Sequence, residues 1–176
     1  EVISHIKQLG TDALVAKLDL ENAFKYIPVR RADWELLGYT FDMYDAATGT
    51  RQKQYFFDIV LQFGGRSSPK LFNDFADASQ YIMIKNGTTW VAHYLDDYIT
   101  AGPPGSVTCQ RNLDIMQQTC HELGFAINPS KLVQPTTCLE FLGIVIDTHA
   151  CKLRISDQRL KETMEELQRW YNRDSA

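Results

Sequence analysis

Apolar positions change rhythm several times along the chain, and each change marks an element. Residues 14–18 are almost continuously apolar and predict a buried strand. Residues 31–37, stopped by Gly38, predict a short helix. Residues 40–44 and 53–60 flank the turn-rich Asp45-Ala46-Ala47-Thr48-Gly49-Thr50, which predicts a hairpin. The clearest helix starts at Ser68, a good N-cap, with Pro69 in the first helical position. Its apolar residues Leu71, Phe72, Phe75, Ala78 and Ile82 recur at helical spacing until Gly87 ends it. A second hairpin follows, with arms 90–94 and 98–101 around Leu95-Asp96-Asp97. After the Gly102-Pro103-Pro104-Gly105 break, Ser106 can cap another helix whose face is Cys109, Leu113, Met116, Cys120 and Leu123. Residues 139–146 and 152–155 predict two more strands. A last helix over 158–171, capped by Ser156, turns Leu160, Met164, Leu167 and Tyr171 inward.

The core order is therefore strand, helix, hairpin, helix, strand. That is an α+β arrangement, the split β-α-β pattern of a ferredoxin-like antiparallel sheet with helices on one face. This architecture hosts many unrelated functions, so the chemistry must come from the residues.

Composition narrows the class. The 176 residues are 44% hydrophobic and 23% charged, which excludes disordered, collagen-like and disulfide-scaffold classes. No apolar run approaches the ~20 residues of a membrane span, so no membrane partner is expected. Eighteen basic against 22 acidic residues argue against a free-standing nucleic-acid binder, which is usually basic. The four cysteines form no CxxC pair, and no secretion signal opens the chain. Reduced thiols and an intracellular location, cytoplasmic or nuclear, are expected. Cys138, His149 and Cys151 are a zinc candidate without a clear fourth ligand, and we set it aside. No linker or repeat divides residues 1–176, which read as one unit beginning at Glu1 rather than Met.

Three aspartates stand in unusual places. Asp19 ends the first apolar strand, while Asp96 and Asp97 occupy the turn of an apolar, aromatic hairpin. Taken alone, an Asp-Asp turn is most often solvated and an Asp at a strand end is often a cap. If the strand and hairpin are neighbours in one sheet, however, Asp19 and Asp96 face each other. Such a cluster is costly unless cations neutralise it. Hard divalent ions with oxygen ligands do so, and a pair of them suits in-line phosphoryl displacement.

These residues also resemble a known family. Ala16-Lys17-Leu18-Asp19-Leu20-Glu21-Asn22-Ala23-Phe24, with Ile27-Pro28-Val29 after it, is similar to the first catalytic motif of reverse transcriptases. Tyr94-Leu95-Asp96-Asp97 resembles their Tyr-x-Asp-Asp box. Leu61-Gln62-Phe63-Gly64-Gly65-Arg66-Ser67-Ser68-Pro69 resembles the loop and helix under the incoming nucleotide. Downstream, Leu123-Gly124-Phe125, Asn128-Pro129-Ser130-Lys131 and Phe141-Leu142-Gly143 resemble the last palm motif and the primer grip. The run around Gly102-Pro103-Pro104-Gly105 and before Gly143 looks most like retrotransposon enzymes, of the tyrosine-recombinase type.

The resemblance implies an RNA-directed DNA polymerase palm with partial fingers over about residues 25–65 and the start of a thumb helix. It implies two Mg²⁺ ions, with Mn²⁺ as a substitute, held by Asp19, Asp96, Asp97 and the Leu20 carbonyl. Asn22 and Ala23 would meet the triphosphate through backbone N–H groups. Phe24 would pack against the sugar where a 2′-OH would project, with ordinary core packing as the alternative. Phe63, Gly64 and Leu95 would line the nucleotide pocket. Arg66, Lys70, Tyr94, Phe141, Leu142 and Gly143 would touch primer or template. Lys131 would serve as proton donor near the leaving pyrophosphate, or be an ordinary surface lysine.

The expected partners are a primed RNA or DNA template and deoxynucleoside triphosphates. The remaining fingers, thumb and RNase H regions of a parent polyprotein would lie outside these residues, leaving the fragment weak or inactive alone. One departure stands out: Gln62 and Gly65 replace the Pro and Leu usual in Leu-Pro-Phe-Gly-Leu, which should loosen that loop. The competing classes are a catalytically inert or domesticated descendant and an RNA-binding ferredoxin-like module. The latter's aromatic sheet motif is missing from the chain.

Overall fold

The computed structural model describes residues 1–173. Helix α1 (Val2–Leu9) leads into strand β1 (Leu14–Asp19), followed by two 3₁₀ turns at Ala23–Tyr26 and Arg31–Leu37. Strands β2 (Gly38–Asp45) and β3 (Thr50–Phe57) form the expected hairpin, paired from Gly38↔Phe57 to Asp45↔Thr50. Then come α2 (Ser68–Lys85), β4 (Val91–Tyr94), β5 (Asp97–Gly102), α3 (Thr108–Glu122) and β6 (Val133–Thr136). The described residues end with β7 (Cys138–Phe141), β8 (Ile144–Asp147), β9 (Lys152–Ile155) and α4 (Asp157–Arg173). Among the described residues no helix is long and apolar enough to cross a membrane.

The central sheet has the order β4-β5-β1-β6, with antiparallel pairs throughout. Helix α2 connects β1 to the β4–β5 hairpin and α3 connects β5 to β6, so the connectivity is the ferredoxin-like one the pattern predicted. The fourth strand differs from the expectation. It is β6, which contains Pro135; a residue without an N–H fits a ladder only at its rim, and β6 is an edge strand.

Residues 139–146 are not one strand. Leu142 and Gly143 both adopt positive φ (51° and 77°), the requirement of a tight two-residue hairpin turn, and fold the segment into β7 and β8. With β9 these make a separate three-stranded sheet.

Two cores lie on the two faces of the central sheet. On one, α2 and α3 bring Phe72, Met83, Leu113 and Met116 against Ala16, Leu18 and Tyr98. On the other, Ile6 of α1 and Leu139, Phe141 and Ile146 of the three-stranded sheet cover Val15, Ile99 and Ala101. Each fully buried aliphatic or aromatic side chain of this kind is worth about 1.5–3 kcal/mol. The alternation of β1 between the two faces follows from the period-two geometry of a strand.

The buried stripe of α2 is rotated from the expected one. Phe72, Ala76, Ser79 and Met83 point inward, whereas Leu71 and Phe75 are exposed. The fully buried Tyr98 ring takes the space beneath this helix and leaves room only for small residues there. The Ser79 hydroxyl is within hydrogen-bond reach of the Tyr98 hydroxyl, which also donates to the Ala76 carbonyl. The cap of α2 is Ser67 rather than Ser68, which is itself buried. In α3 the expected Cys109, Leu113, Met116 and Cys120 are buried, while Leu123 lies past the helix end and is exposed. The apolar stripe of α4, including Leu160, Met164, Leu167 and Tyr171, is exposed rather than inward-facing.

Candidate active site

The site begins with strand register. Leu18 pairs with Tyr98 and Asp19 with Asp97 across the β1–β5 ladder. On the other side of β5, Asp97 pairs with Tyr94 of β4. The turn between β4 and β5 is therefore only Leu95 and Asp96, and it closes by holding Leu95 at φ 54°. Leu20 N–H donates to the Asp96 carbonyl (3.0 Å), which ties the turn to the end of β1. The strand and the hairpin are neighbours as expected, but the register partner of Asp19 is Asp97, and Asp96 lies in the turn beside them.

Asp19 is 3% exposed, and its carboxylate accepts a hydrogen bond from Lys131 Nζ at 2.9 Å. The segment carrying Lys131 is stitched to the same strand end. Asn128 N–H donates to the Asp19 carbonyl (2.9 Å) and Glu21 N–H to the Ala126 carbonyl (2.8 Å). Asn128 Oδ1 then accepts from Ser130 N–H and Oγ (3.1 and 2.7 Å), fixing the turn before Lys131.

The electrostatics follow from crowding. Burial, then the neighbouring Asp19 and Asp96 carboxylates, push the Asp97 carboxyl up to about 6, against a smaller downward pull from Lys17. Asp96 is also raised, chiefly by burial, with Asp19 adding to the rise. Lys131 is raised by its hydrogen bond to Asp19 and by the other two carboxylates. Lys17 escaped the sequence reading. Its signal was a lysine inside an apolar strand, two residues before Asp19 and so on the same face of the sheet.

Such a set of hard oxygen donors repelling one another fits a divalent cation. Among the described residues, though, no three acidic, His or Cys side chains already converge as a metal shell would. The nearest available positive charge, Lys131, is instead on Asp19.

The nucleotide-side candidates gather beyond the end of β1. Asn22, at φ 54°, turns the chain into the 3₁₀ segment that begins with the buried Ala23. Phe24 is buried, its ring edge-on to Phe63 (4.9 Å) and tilted against Phe72 (5.4 Å). Phe63 itself is 72% exposed, with Gly64 at φ 87° beside it. The loop expected to be loose has its own ties. Gln62 Nε2 donates to the Leu37 carbonyl (2.9 Å), and Ser68 N–H donates to the Gly65 carbonyl (3.1 Å). A Cβ on Gly65 would meet Ser68 Oγ at 2.5 Å, so the glycine leaves room for the Ser68 side chain in this turn.

Arg66 and Lys70 are exposed at the start of α2, and among the described residues neither enters an ion pair. Tyr94 is exposed beside the acidic turn. Phe141 is buried in the second core, whereas Leu142 is exposed at the tip of the β7–β8 turn. Arg159 of α4 donates to the Leu142 carbonyl (3.1 Å) and steadies that tip.

Behind the acidic turn sits a pair that sequence reasoning missed. His93 Nε2 lies 3.0 Å from Asp77 Oδ1 of α2, linking helix to strand. His149, set aside as a zinc candidate, pairs with Asp12 at 2.6 Å. A cavity of about 480 Å³ lies between α1 and β8–β9 and is walled by Ile3, Ile6, Ile146 and Leu153. None of Asp19, Asp96 and Asp97 lines it; the acidic site lies at the end of the β1–β5 ladder.

Among curated proteins none matches the chain. Among solved structures, the chain is similar to the foamy viral protease-reverse transcriptase dRH in complex with double-stranded DNA. The TM-score is 0.66 and the identity 18%, over 90% of this chain and 25% of that one. It is also similar to the foamy viral protease-reverse transcriptase with double-stranded DNA (TM-score 0.60, 21% identity, 82% and 27% covered) and with RNA/DNA hybrid (0.61, 21%, 82% and 17%). The chain thus spans about a quarter or less of the length of these structures, and at such identities the likeness establishes the fold. The profile of the reverse transcriptase (RNA-dependent DNA polymerase) family matches residues 2–146, from α1 through β8 and across all three aspartates. With that match over most of its length, the chain belongs to the reverse transcriptase family.

Proposed function

We propose that this chain is the palm of an RNA-directed DNA polymerase of retrotransposon type, acting inside the cell on a primed RNA or DNA template. It would add deoxynucleotides to a primer 3′-OH as part of a longer polyprotein and be weak or inactive alone. The observation that carries the reading is the register pairing of Asp19 with Asp97 beside Asp96.

In the reaction the primer 3′ oxygen bonds to the α-phosphorus while the bond to the bridging oxygen breaks and pyrophosphate leaves. Two divalent ions (Mg²⁺, with Mn²⁺ as substitute), held by Asp19, Asp96, Asp97 and the Leu20 carbonyl, would supply charge neutralisation at those oxygens. The protein's part is mostly positioning. Backbone N–H groups at Asn22 and Ala23 would hold the triphosphate. Phe24, Phe63, Gly64 and Leu95 would shape the nucleotide pocket, while Arg66 and Lys70 would meet phosphates of the template. Tyr94 and the Phe141-Leu142-Gly143 turn would hold the primer end. Lys131, kept protonated by its acidic neighbours, would give a proton to the departing pyrophosphate.

The test has two arms. In the parent polymerase, Asp96→Asn is expected to abolish primer extension, and retained activity would overturn the assignment. In the chain itself, millimolar Mg²⁺ or Mn²⁺ is expected to raise the melting temperature of the wild type but not of Asp96→Asn. Absence of any rise in the wild type would favour the catalytically inert, domesticated reading.

A further inference from the structure

A carboxylate as deeply buried as Asp19 needs a positive partner, because an unpaired charge removed from water costs several kcal/mol. Its side chain is 5% exposed, and the partner it has is the Lys131 ammonium at 2.9 Å. That partner is built in an unusual way. Its backbone is fixed: Lys131 N–H donates to the Asn128 carbonyl (3.2 Å), and Asn128 is itself bonded to the backbone of Asp19. Its side chain is 55% exposed, so the four-carbon stem is not packed in place. The base of the lysine is rigid and its head can swing.

The surroundings supply the second half of the argument. Asp96 and Asp97 stand beside Asp19, and Lys17 is the other cation on this face. Three carboxylates are thus present, yet among the described residues no three acidic, His or Cys groups converge on one point. What a divalent cation requires at Asp19 is already taken by an ammonium.

We infer that Lys131 is the resident counter-ion of Asp19 when no divalent cation is bound, and that a divalent cation enters by exchange with it. Asp19 gives up the Lys131 ammonium as it takes the metal, and the freed ammonium swings out into solvent, to which its side chain is already half exposed. This deepens the proposed function and rests on its reading of the aspartates as cation ligands. Two consequences follow. The ammonium competes with the metal and lowers its apparent affinity. It also makes Lys131 available to a substrate only once the metal is loaded, so a proton donor and a metal site are coupled through one carboxylate.

The test uses the full chain without nucleotide. Mn²⁺ is titrated while the melting temperature is followed, for the wild type and for Lys131→Met, which keeps the stem and removes the charge. Lys131→Met is expected to melt lower without metal, because Asp19 is left unpaired. Its half-maximal Mn²⁺ concentration is expected to fall about tenfold, and its melting temperature at saturating Mn²⁺ to approach the wild-type value. A wild type that responds to Mn²⁺ while Lys131→Met shows an unchanged or weaker midpoint overturns the exchange alone. A wild type that does not respond overturns the metal reading and the exchange with it.

A second measurement needs no variant. The rate at which an amine-acylating reagent modifies Lys131 in the wild-type chain, read by peptide mass spectrometry, is expected to rise several-fold with Mn²⁺. A rate indifferent to Mn²⁺ overturns the proposal.

Discussion

Asp19 and Asp97 are register partners on adjacent, hydrogen-bonded strands, and both sit beside Asp96 at the end of the same ladder. Two carboxylates brought this close cannot both ionise freely. Burial first, and then the Asp19 and Asp96 carboxylates, raise the Asp97 carboxyl from an ordinary 3.8 to about 6.

The sign of the resulting pH dependence follows. Between about pH 4 and 6 the folded chain holds a proton on Asp97 that the unfolded chain has lost, so this group's contribution favours the fold at the acidic end and is lost as pH rises through about 6. The melting temperature of metal-free wild type, taken relative to Asp97→Asn, is expected to fall between pH 5 and 7.5. His149, raised by Asp12, also favours the fold at low pH, but its contribution cancels in that difference. A difference that stays flat across the range would refute the assignment.

Asn112, fully buried on α3, is a polar rivet beneath the sheet. Its Oδ1 accepts from Thr89 N–H (3.1 Å), and its Nδ2 donates to Thr100 Oγ1 (3.0 Å) and the Ala101 carbonyl (3.3 Å). Asn112→Ala strands several of these groups away from water and is expected to cost about 2–3 kcal/mol. Urea unfolding of the two chains measures it; a loss below half a kcal/mol contradicts the accounting.

Gly102 ends β5 where α3 crosses it. A Cβ there would meet the Cys109 backbone nitrogen at 2.6 Å and its Cα at 3.1 Å, atoms that cannot step aside without moving the helix. Gly102→Ala is therefore expected to destabilise by about 2 kcal/mol or more, although alanine is ordinarily the better residue in a strand interior. Ala at Gly105, where nothing lies within 4 Å but φ is 68°, should cost less, about 1 kcal/mol from backbone strain alone. Comparing the two by thermal melting separates close approach from conformation.

Phe24 is a packing residue whose proposed second role, facing the sugar, mutation can separate from the first. Packed against Phe63 and Phe72 and 7% exposed, it is core, and Phe24→Ala is expected to cost about 3 kcal/mol. Phe24→Leu keeps most of that packing and shortens the wall that would face a sugar. In the parent polymerase it is expected to raise the efficiency of ribonucleotide use relative to deoxynucleotide by about tenfold. Unchanged discrimination, measured by single-nucleotide extension, would leave Phe24 a packing residue only.

The nearness of Asp19 to the Asp96-Asp97 turn was legible in the sequence because its carriers are local. An apolar run ending in Asp19 and a hairpin turning on Leu95 and Asp96 are short-range patterns, and the ladder then joins them. What stayed hidden depends on neighbours distant in sequence. The inner stripe of α2 is set by the bulk of Tyr98 on another element, so the more apolar Leu71 and Phe75 lost to Ala76 and Ser79. β6 escaped notice because Pro135 reads as a breaker until the sheet's rim is known. Residues 139–146 looked like one strand because Leu142-Gly143 drew attention as a motif rather than as a turn. The pairing of Lys131 with Asp19 spans 112 positions, and no local pattern signals it.

The order β4-β5-β1-β6 puts both acid-bearing strands in the interior of the sheet. Each is laced to a neighbour on either flank, so the spacing between Asp19 and Asp97 is dictated by the ladder rather than by any flexible segment. Drift in sequence along the outer strands can retune how tightly the cleft is walled while leaving that spacing untouched. Altering it demands slipping a whole strand by one residue, which would turn every side chain of that strand to the opposite face. The fold thus acts as a ruler whose graduations are peptide bonds, and the chemistry can be lost at this position far more readily than it can be adjusted.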